Sequence, residues 1–487
     1  MPFFKNPDVR STLLAACLLA GLGGCKVQRH PVPIAPVPLP SAYEGTADPA
    51  KTDSSSLGDK PFRTLFADPN LVALVDTALA RNLDLKIALQ RVEMARASFT
   101  ISQGALLPQV EAVASAGLDR FGLYTLNGVG NYDTNLSDNV QGRLLIPNPT
   151  PDLFVGFRAS WEYDLWGKLR NRRRAAYNRV LASQEGRNLI VTALVADVTR
   201  LYYDLLANDA EQEIIRENIA LQERAVGLVG VQKQAGRVTE LAVQQFRAQL
   251  LNTRSLEGQV RQRIAETENA INVLLGRYPQ PIERGPSIRD QQLPASVAAG
   301  IPAQLVRRRP DIRQAERELE AANVDVAVAR AEFLPSLNLT PYLGLNAFRP
   351  SVLLNPASVA VGVLGSLAAP VFNRRLLKGN LAGTEAQSRE AYFAYQRVIV
   401  TGVGEVVNGL RGLENYRAVA DLQTQEVVTL RQAVATSNEL FATGYATYLE
   451  VITAQRSVLD AERALIATKQ TQFSTLIGLY RALGGGW

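Results

Sequence analysis

The chain has 487 residues, 47% hydrophobic and 20% charged, with a formal net charge of +6. This composition excludes a disordered or fibrous protein, and so thin a cationic surplus gives no footprint for nucleic acid. The one histidine is His30 and the two cysteines are Cys17 and Cys25, so nothing beyond residue 30 can supply a thiol, an imidazole, a disulfide or a Cys/His zinc site.

Residues 1–24 have the layout of a secretory signal. Lys5 and Arg10 precede a short apolar run, Leu13 to Gly21, too short to span a bilayer as a helix. Leu22-Gly23-Gly24-Cys25 resembles a bacterial lipobox, in which cleavage before the cysteine leaves a thiol that receives a diacylglyceryl group. Cys25 is therefore the expected lipidation site, and Lys26 in place of Asp is the pattern of delivery to the outer membrane. Residues 25–60 read as a lipidated, extended linker, because Pro31, Pro33, Pro36, Pro38 and Pro40 favour polyproline II and forbid helix.

The body is duplicated. Asn82–Pro108 and Arg309–Pro335 align without a gap at an offset of 227, pairing Asp84 with Asp311, Ala88 with Ala315, Glu93 with Glu320 and Leu107-Pro108 with Leu334-Pro335. Each copy begins with helical periodicity and is expected to end its helix at Pro108 or Pro335. The period then switches to two, apolar positions alternating with polar or small ones. The first strand runs through Val110, Ala112, Ala114, Ala116 and Leu118, and its counterpart through Leu337, Leu339, Pro341, Leu343 and Leu345. A second strand follows in each copy, with Val155, Phe157, Ala159, Trp161 and Tyr163 in one and Val359, Val361, Val363, Gly365 and Leu367 in the other. One apolar face against one polar or small face is the pattern of a membrane β-barrel wall. Val155, Phe157, Trp161, Tyr163, Val359, Val361 and Val363 are the expected lipid-facing residues, with Trp161 and Tyr163 at an interfacial girdle. The loop 119–151 is longer than its counterpart and is expected on the outside of the cell.

Helical stretches at roughly 168–233 and 374–442 come next, each stopped by a glycine, Gly236 or Gly444, before a further helix. Sixty helical residues at ~1.5 Å each reach ~90 Å. In the last helix Ile452, Leu459, Ile466, Phe473 and Tyr480 recur every seven residues, a coiled-coil seam. Four membrane strands cannot close a barrel, which needs about eight or more, and open edges cannot sit in lipid, so several chains must share one barrel. The basic runs Arg172-Arg173-Arg174 and Arg307-Arg308-Arg309 call for no ligand. The first lies just past a strand end, where cations meet headgroups, and the second leads through Pro310 into a helix.

Gly300 to Glu316, containing Arg307-Arg308-Arg309-Pro310-Asp311, resembles the signature of TolC-type outer-membrane efflux factors of the NodT-like lipoprotein branch. Phe441 to Gln455 and Leu479 to Trp487 are similar to the same family. The resemblance implies a mainly α protein with membrane β: a homotrimer with a twelve-stranded β-barrel, four strands per chain, continuous with a long periplasmic α-helical barrel. It implies a passive exit duct for small molecules, docked on a periplasmic adaptor (membrane fusion) protein and an inner-membrane pump of the RND type, with no cofactor beyond the lipid on Cys25. The first repeat would occupy 61–276, an equatorial connector 277–302, and the second repeat with the C-terminal helix 303–487. It also implies a periplasmic aperture after the tip glycine: Gly444 matches that glycine, Glu450 the upper acidic position and Thr453 the place of a second acid. Ala446 and Phe441 depart from the family's usual Arg and Tyr, and the first-repeat equivalent of Glu450 is Ala242, so the latch looks depleted.

Two other functions fit the sequence less well. A lipidated coiled-coil adaptor would carry one helical hairpin between β-rich domains, whereas this chain carries two helix–strand–strand–helix units. A secreted hydrolase would have to rely on paired carboxylates, and Glu316/Glu320 have the helical spacing of a solvated face.

Incorporation of labelled palmitate is expected to disappear in Cys25→Ser. Persistent labelling would show that the anchor is elsewhere.

Overall fold

The computed structural model describes residues 39–40, 42–43, 56–294, 297–372 and 374–486. The signal segment, Cys25 and most of the linker lie outside the described residues. In chain order, short turns aside, the elements are α1 (Pro69–Arg81), α2 (Leu83–Gly104), β1 (Gln109–Asp119), α3 (Leu126–Asn135), β2 (Thr150–Tyr163), α4 (Lys168–Gln234), α5 (Glu240–Leu274), α6 (Pro302–Arg308), α7 (Pro310–Ala331), β3 (Ser336–Ala347), β4 (Val359–Ala368), α8 (Arg374–Thr443) and α9 (Tyr448–Ala482).

The duplication is visible in the element bounds. Helices α2 and α7 are offset by 227 residues at both ends, and α5 and α9 by 208 at both ends. The long helices α4 and α8 run for 67 and 70 residues. One expectation is corrected. Helices α2 and α7 stop at Gly104 and Ala331, ahead of Pro108 and Pro335. Closing bonds such as Leu106 N–H to Gln103 O (3.1 Å) and Leu334 N–H to Ala331 O (3.1 Å) tighten the chain before the residue whose helical conformation proline disfavours. The loop 119–151 is not irregular throughout: Thr125 caps α3, its hydroxyl accepting from the Gly128 N–H at 3.1 Å.

The four strands form one antiparallel sheet in the order β1-β2-β3-β4, leaving β1 and β4 as edges. Val155 lies opposite Ala114 on one side and Leu345 on the other, and Leu343 lies opposite Val361. Strands from different repeats therefore meet at β2–β3.

The compact units do not follow the repeats. One is built from Ala95–Val180 and Glu318–Tyr392 and holds the sheet; the other is built from Pro36–Met94, Leu181–Arg317 and Phe393–Trp487. Each takes stretches from both copies, as expected when a single copy cannot cover its own apolar faces.

In the second unit Leu459, Ile466, Phe473 and Tyr480 of the heptad seam are buried in one large core, where Tyr203 and Phe473 stack at 4.3 Å. A smaller core of Val229, Ala242, Val243, Phe246, Phe441 and Val451 lies apart from it along the helices. Along the helices between the two cores are the buried Gln222 and Gln455, and Asn218 and Glu462 are buried beside residues of the larger core. The connector is tied in by polar contacts. The Tyr202 hydroxyl donates to Asp68 Oδ2 at 2.5 Å and accepts from the Gly285 N–H at 2.8 Å.

The signature Arg307-Arg308-Arg309-Pro310-Asp311 is a structural staple. The buried Arg309 guanidinium makes two bonds to Asp311, at 3.0 and 2.7 Å, one to Glu405 of α8 at 2.6 Å and one to the Ala482 carbonyl that ends α9 at 3.2 Å. Arg308 pairs with Asp59 at 2.7 Å. The glycines of the C-terminal motif have a local cause as well. A Cβ at Gly485 would sit 2.4 Å from the Tyr480 ring, whose hydroxyl donates to the Lys60 carbonyl at 3.0 Å.

Arg309→Ala strands the carboxylates of Asp311 and Glu405 and leaves the α9 terminus with one bond fewer. The expected loss is roughly 2–4 kcal/mol, at or below the range for breaking a buried pair because the carboxylates are partly exposed. It should appear as a lowered thermal midpoint of the purified protein. An unchanged midpoint would remove the staple role.

Candidate functional site

The sheet has two chemically distinct faces, and the register decides which residues share each. Directly opposed residues point to the same side. One face carries Val110, Ala112 and Ala114 of β1; Val155, Phe157, Trp161 and Tyr163 of β2; Leu339, Leu343 and Leu345 of β3; and Val359, Val361 and Val363 of β4. All seven residues singled out from the sequence thus fall on one face. Val361 and Val363 are exposed to 72% and 71%, with nothing among the described residues covering them. Trp161 and Tyr163 meet edge to face at 5.4 Å near the end of β2, and the indole N–H donates to the Leu106 carbonyl at 3.1 Å.

The opposite face carries Glu111, Ser115, Arg158, Ser160, Asn338, Thr340 and Ser366. Phe154 breaks its polarity and is buried there, beneath the Arg158 guanidinium, which lies 4.6 Å from its ring centroid. Glycines make the room: a Cβ at Gly344 would come within 2.8 Å of the Phe154 ring, and one at Gly362 within 2.6 Å of the Tyr342 ring. The alternation in the sequence shows the two faces. It gives no sign of the Phe154/Gly344 and Tyr342/Gly362 fits, because each joins different strands.

The second candidate region is the pair of helical turns at residues 234–240 and 443–448. At each, a glycine in the left-handed region ends the long helix, Gly236 at φ +71° and Gly444 at φ +85°. Arg237 N–H bonds Gln232 O at 2.9 Å and Tyr445 N–H bonds Leu440 O at 2.8 Å, the same C-terminal motif in both repeats. Thr239 and Thr447 then stand as N-caps of α5 and α9. The turns flank a cleft of about 660 Å³ lined by Gln232, Arg237, Thr239, Phe441, Thr447 and Tyr448. Phe246 and Phe441 approach to 6.5 Å beneath it.

Glu450 and Thr453, one turn apart, are both exposed, and Gly444 lies at the preceding turn. The Glu450 carboxylate closes a capping box. It accepts from the Thr447 backbone N–H and from the Thr447 hydroxyl, the latter at 2.7 Å. The Thr447 hydroxyl bond holds its pKa below the usual carboxylate value, with the backbone bond adding to the effect. Thr447-x-x-Glu450 is a capping-box pattern readable in the sequence, and it gives the acid a local task independent of any aperture. In the first repeat Ala242 takes the equivalent place and is buried in the smaller core. The charge there belongs to Glu240, paired with Lys233 across the turn. Among the described residues no helix is long and apolar enough to cross a membrane, and no three His, Cys, Asp or Glu side chains gather as a metal site.

Comparison with known proteins agrees with this architecture. Residues 74–277 and 301–485 match the family described as outer membrane efflux protein, in two blocks separated by the connector. The solvent efflux pump outer membrane protein SrpC of Pseudomonas putida is 29% identical over 472 residues, 96% of each chain. The cation efflux system protein CusC of Escherichia coli is 28% identical over 485 residues, 98% of each chain. Among solved structures, that of the outer-membrane channel OprN superposes with a TM-score of 0.81 at 25% identity, covering 95% of this chain and all of its own. Both repeats are matched, with similarity running nearly end to end, and the chain belongs to the outer membrane efflux protein family.

Proposed function

We propose that the protein is the outer-membrane exit duct of a tripartite efflux system, a passive conduit for small molecules. Three copies would share one twelve-stranded barrel, held additionally by lipid on Cys25, with the helices forming a periplasmic tunnel. A periplasmic adaptor and an inner-membrane pump of the RND type would complete the path and supply the energy. The observation that carries this reading is the sheet itself: four strands, one apolar and one largely polar face, and two open edges. The apolar face suits acyl chains, the polar face suits a water-filled lumen, and the edges suit pairing with further copies. Proteins of this family are channels rather than enzymes. SrpC is named for solvent and CusC for cation efflux, and a shared duct with substrate selection left to the pump accounts for both.

The closing point of the duct is assigned to the turn after Gly444. Three-fold symmetry would bring three Glu450 carboxylates around one axis, with Thr453 one turn further on. The Thr447 bonds favour the charged form of Glu450. Like charges a few Å apart repel by about 1 kcal/mol in bulk water and by more in a less polar throat. Such a ring would draw cations and resist further closure.

Glu450→Gln removes the charge while its amide oxygen can still serve the capping box. In planar bilayers it should weaken cation selectivity and block by divalent ions. If both are unchanged, the constriction lies elsewhere.

For the wall, Val361→Arg should impair insertion, at a cost of ~2–4 kcal/mol at mid-bilayer. Ser366→Arg, on the same strand and the opposite face, should assemble. The reverse outcome would exchange lipid and lumen. Gly362 is unsuitable as the control because the Tyr342 ring occupies its side-chain space.

A further inference from the structure

In both repeats the chain leaves the sheet and enters a long helix through a segment rich in cations. After β2, helix α4 opens with Lys168, Arg170, Arg172, Arg173 and Arg174; after β4, helix α8 opens with Arg374, Arg375 and Lys378. The nearby carboxylates are already engaged. Glu162 pairs with Lys168 at 2.5 Å, Asp164 with Arg170 at 3.0 Å and Glu332 with Arg172 at 3.1 Å. Arg173, Arg174, Arg374, Arg375 and Lys378 are all exposed, and among the described residues none of them has an ion-pair or hydrogen-bond partner. Five like charges concentrated at two neighbouring junctions repel one another, and nothing among the described residues offsets them. Neither first turn carries an acid, although that end of a helix favours one.

What adjoins these cations identifies the compensating anion. The apolar sheet face runs into Trp161 and Tyr163, and then into the cations of α4. In the second repeat it runs through Val371 and Phe372, exposed to 65% and 100%, to Arg374, Arg375 and the exposed Leu376. A cleft of about 480 Å³ reaches from one junction to the other, lined by Tyr163, Trp166, Lys168, Pro335, Pro370 and Leu377. The order from acyl-facing apolar wall to aromatic rim to unpaired cations is that of a bilayer crossed from hydrocarbon to headgroups. A soluble acidic partner would account for the charges but not for a fully exposed phenylalanine beside them.

We infer that the two junctions form a docking surface for anionic phospholipid headgroups of the periplasmic leaflet, with Arg173, Arg174, Arg374, Arg375 and Lys378 contacting the phosphates. The surface would select phosphatidylglycerol-type lipid over zwitterionic lipid. The inference rests on reading the sheet as a membrane wall.

The test uses the full-length oligomer in bilayers of phosphatidylethanolamine mixed with phosphatidylglycerol, each lipid spin-labelled in turn. The parent protein should immobilise phosphatidylglycerol severalfold more than phosphatidylethanolamine at low salt, and the preference should collapse at high salt. Neutralising the five cations together to Gln should abolish it. Arg143→Gln, in the loop joining the other ends of β1 and β2, should leave it intact. Equal immobilisation of both lipids by the parent would overturn the surface while keeping the wall, whereas immobilisation of neither would overturn the wall. Retained selectivity in the five-fold variant, or its loss in Arg143→Gln, would place the selectivity elsewhere. If the five-fold variant fails to assemble, the salt response of the parent decides: a preference that survives high salt refutes the assignment.

Discussion

The unpaired backbone along two strands governs the rest of the architecture. Strand β1 presents one free edge over Gln109–Asp119 and β4 another over Val359–Ala368. In hydrocarbon each orphaned N–H or C=O costs several kcal/mol. A single chain with these edges is therefore not a finished membrane structure, and the missing partners can only be other strands. The duct follows from that need: closure requires copies of the same sheet, and copies around an axis enclose a lumen.

The same incompleteness recurs inside the chain. The two repeats share element bounds to the residue in α2/α7 and α5/α9, yet each compact unit draws on both. Within the second repeat, Arg309 joins the start of α7 to α8 and to the end of α9. The most specific motif of the sequence is thus used in assembly rather than in transport chemistry. Along the helices the apolar packing is interrupted. Gln222 and Gln455 are buried between the two cores, and neither amide has a hydrogen-bond partner among the described residues; Asn218, Glu462 and Arg431 form a polar cluster. Unsatisfied amides lower the stability of a core, so the smaller core at the turns is coupled to the larger one more weakly than continuous heptads would allow.

At the turns one backbone solution is reached with different side chains. Gly236 and Gly444 supply the left-handed residue, and Thr239 and Thr447 restart the helix. The acids then part company. Glu240 is neutralised by Lys233, while Glu450 keeps a free charge and spends its hydrogen-bonding capacity on Thr447. A symmetric duplication thereby acquires asymmetric electrostatics, and the second repeat alone offers an uncompensated carboxylate at the turn.

Local periodicity determined much of this without help. Strands β1 to β4 appear where apolar residues alternate, because a pleated strand puts every second side chain on one face. The long helices end where only glycine tolerates positive φ. The duplication is legible because both copies kept their spacing. Tertiary structure alone decided what depends on distant partners: that β2 pairs with β3 across the repeats, that Phe154 lies over Gly344, that the compact units cut across the duplication, and that Arg309 rather than Arg307 or Arg308 is buried. It also gave Glu450 its cap and ordered α3 within the long loop, although Thr447-x-x-Glu450 and Thr125 were local signals for both. The division has one physical cause. Periodicity records which face of an element is apolar, but the element that covers that face is chosen by packing between residues far apart in the chain.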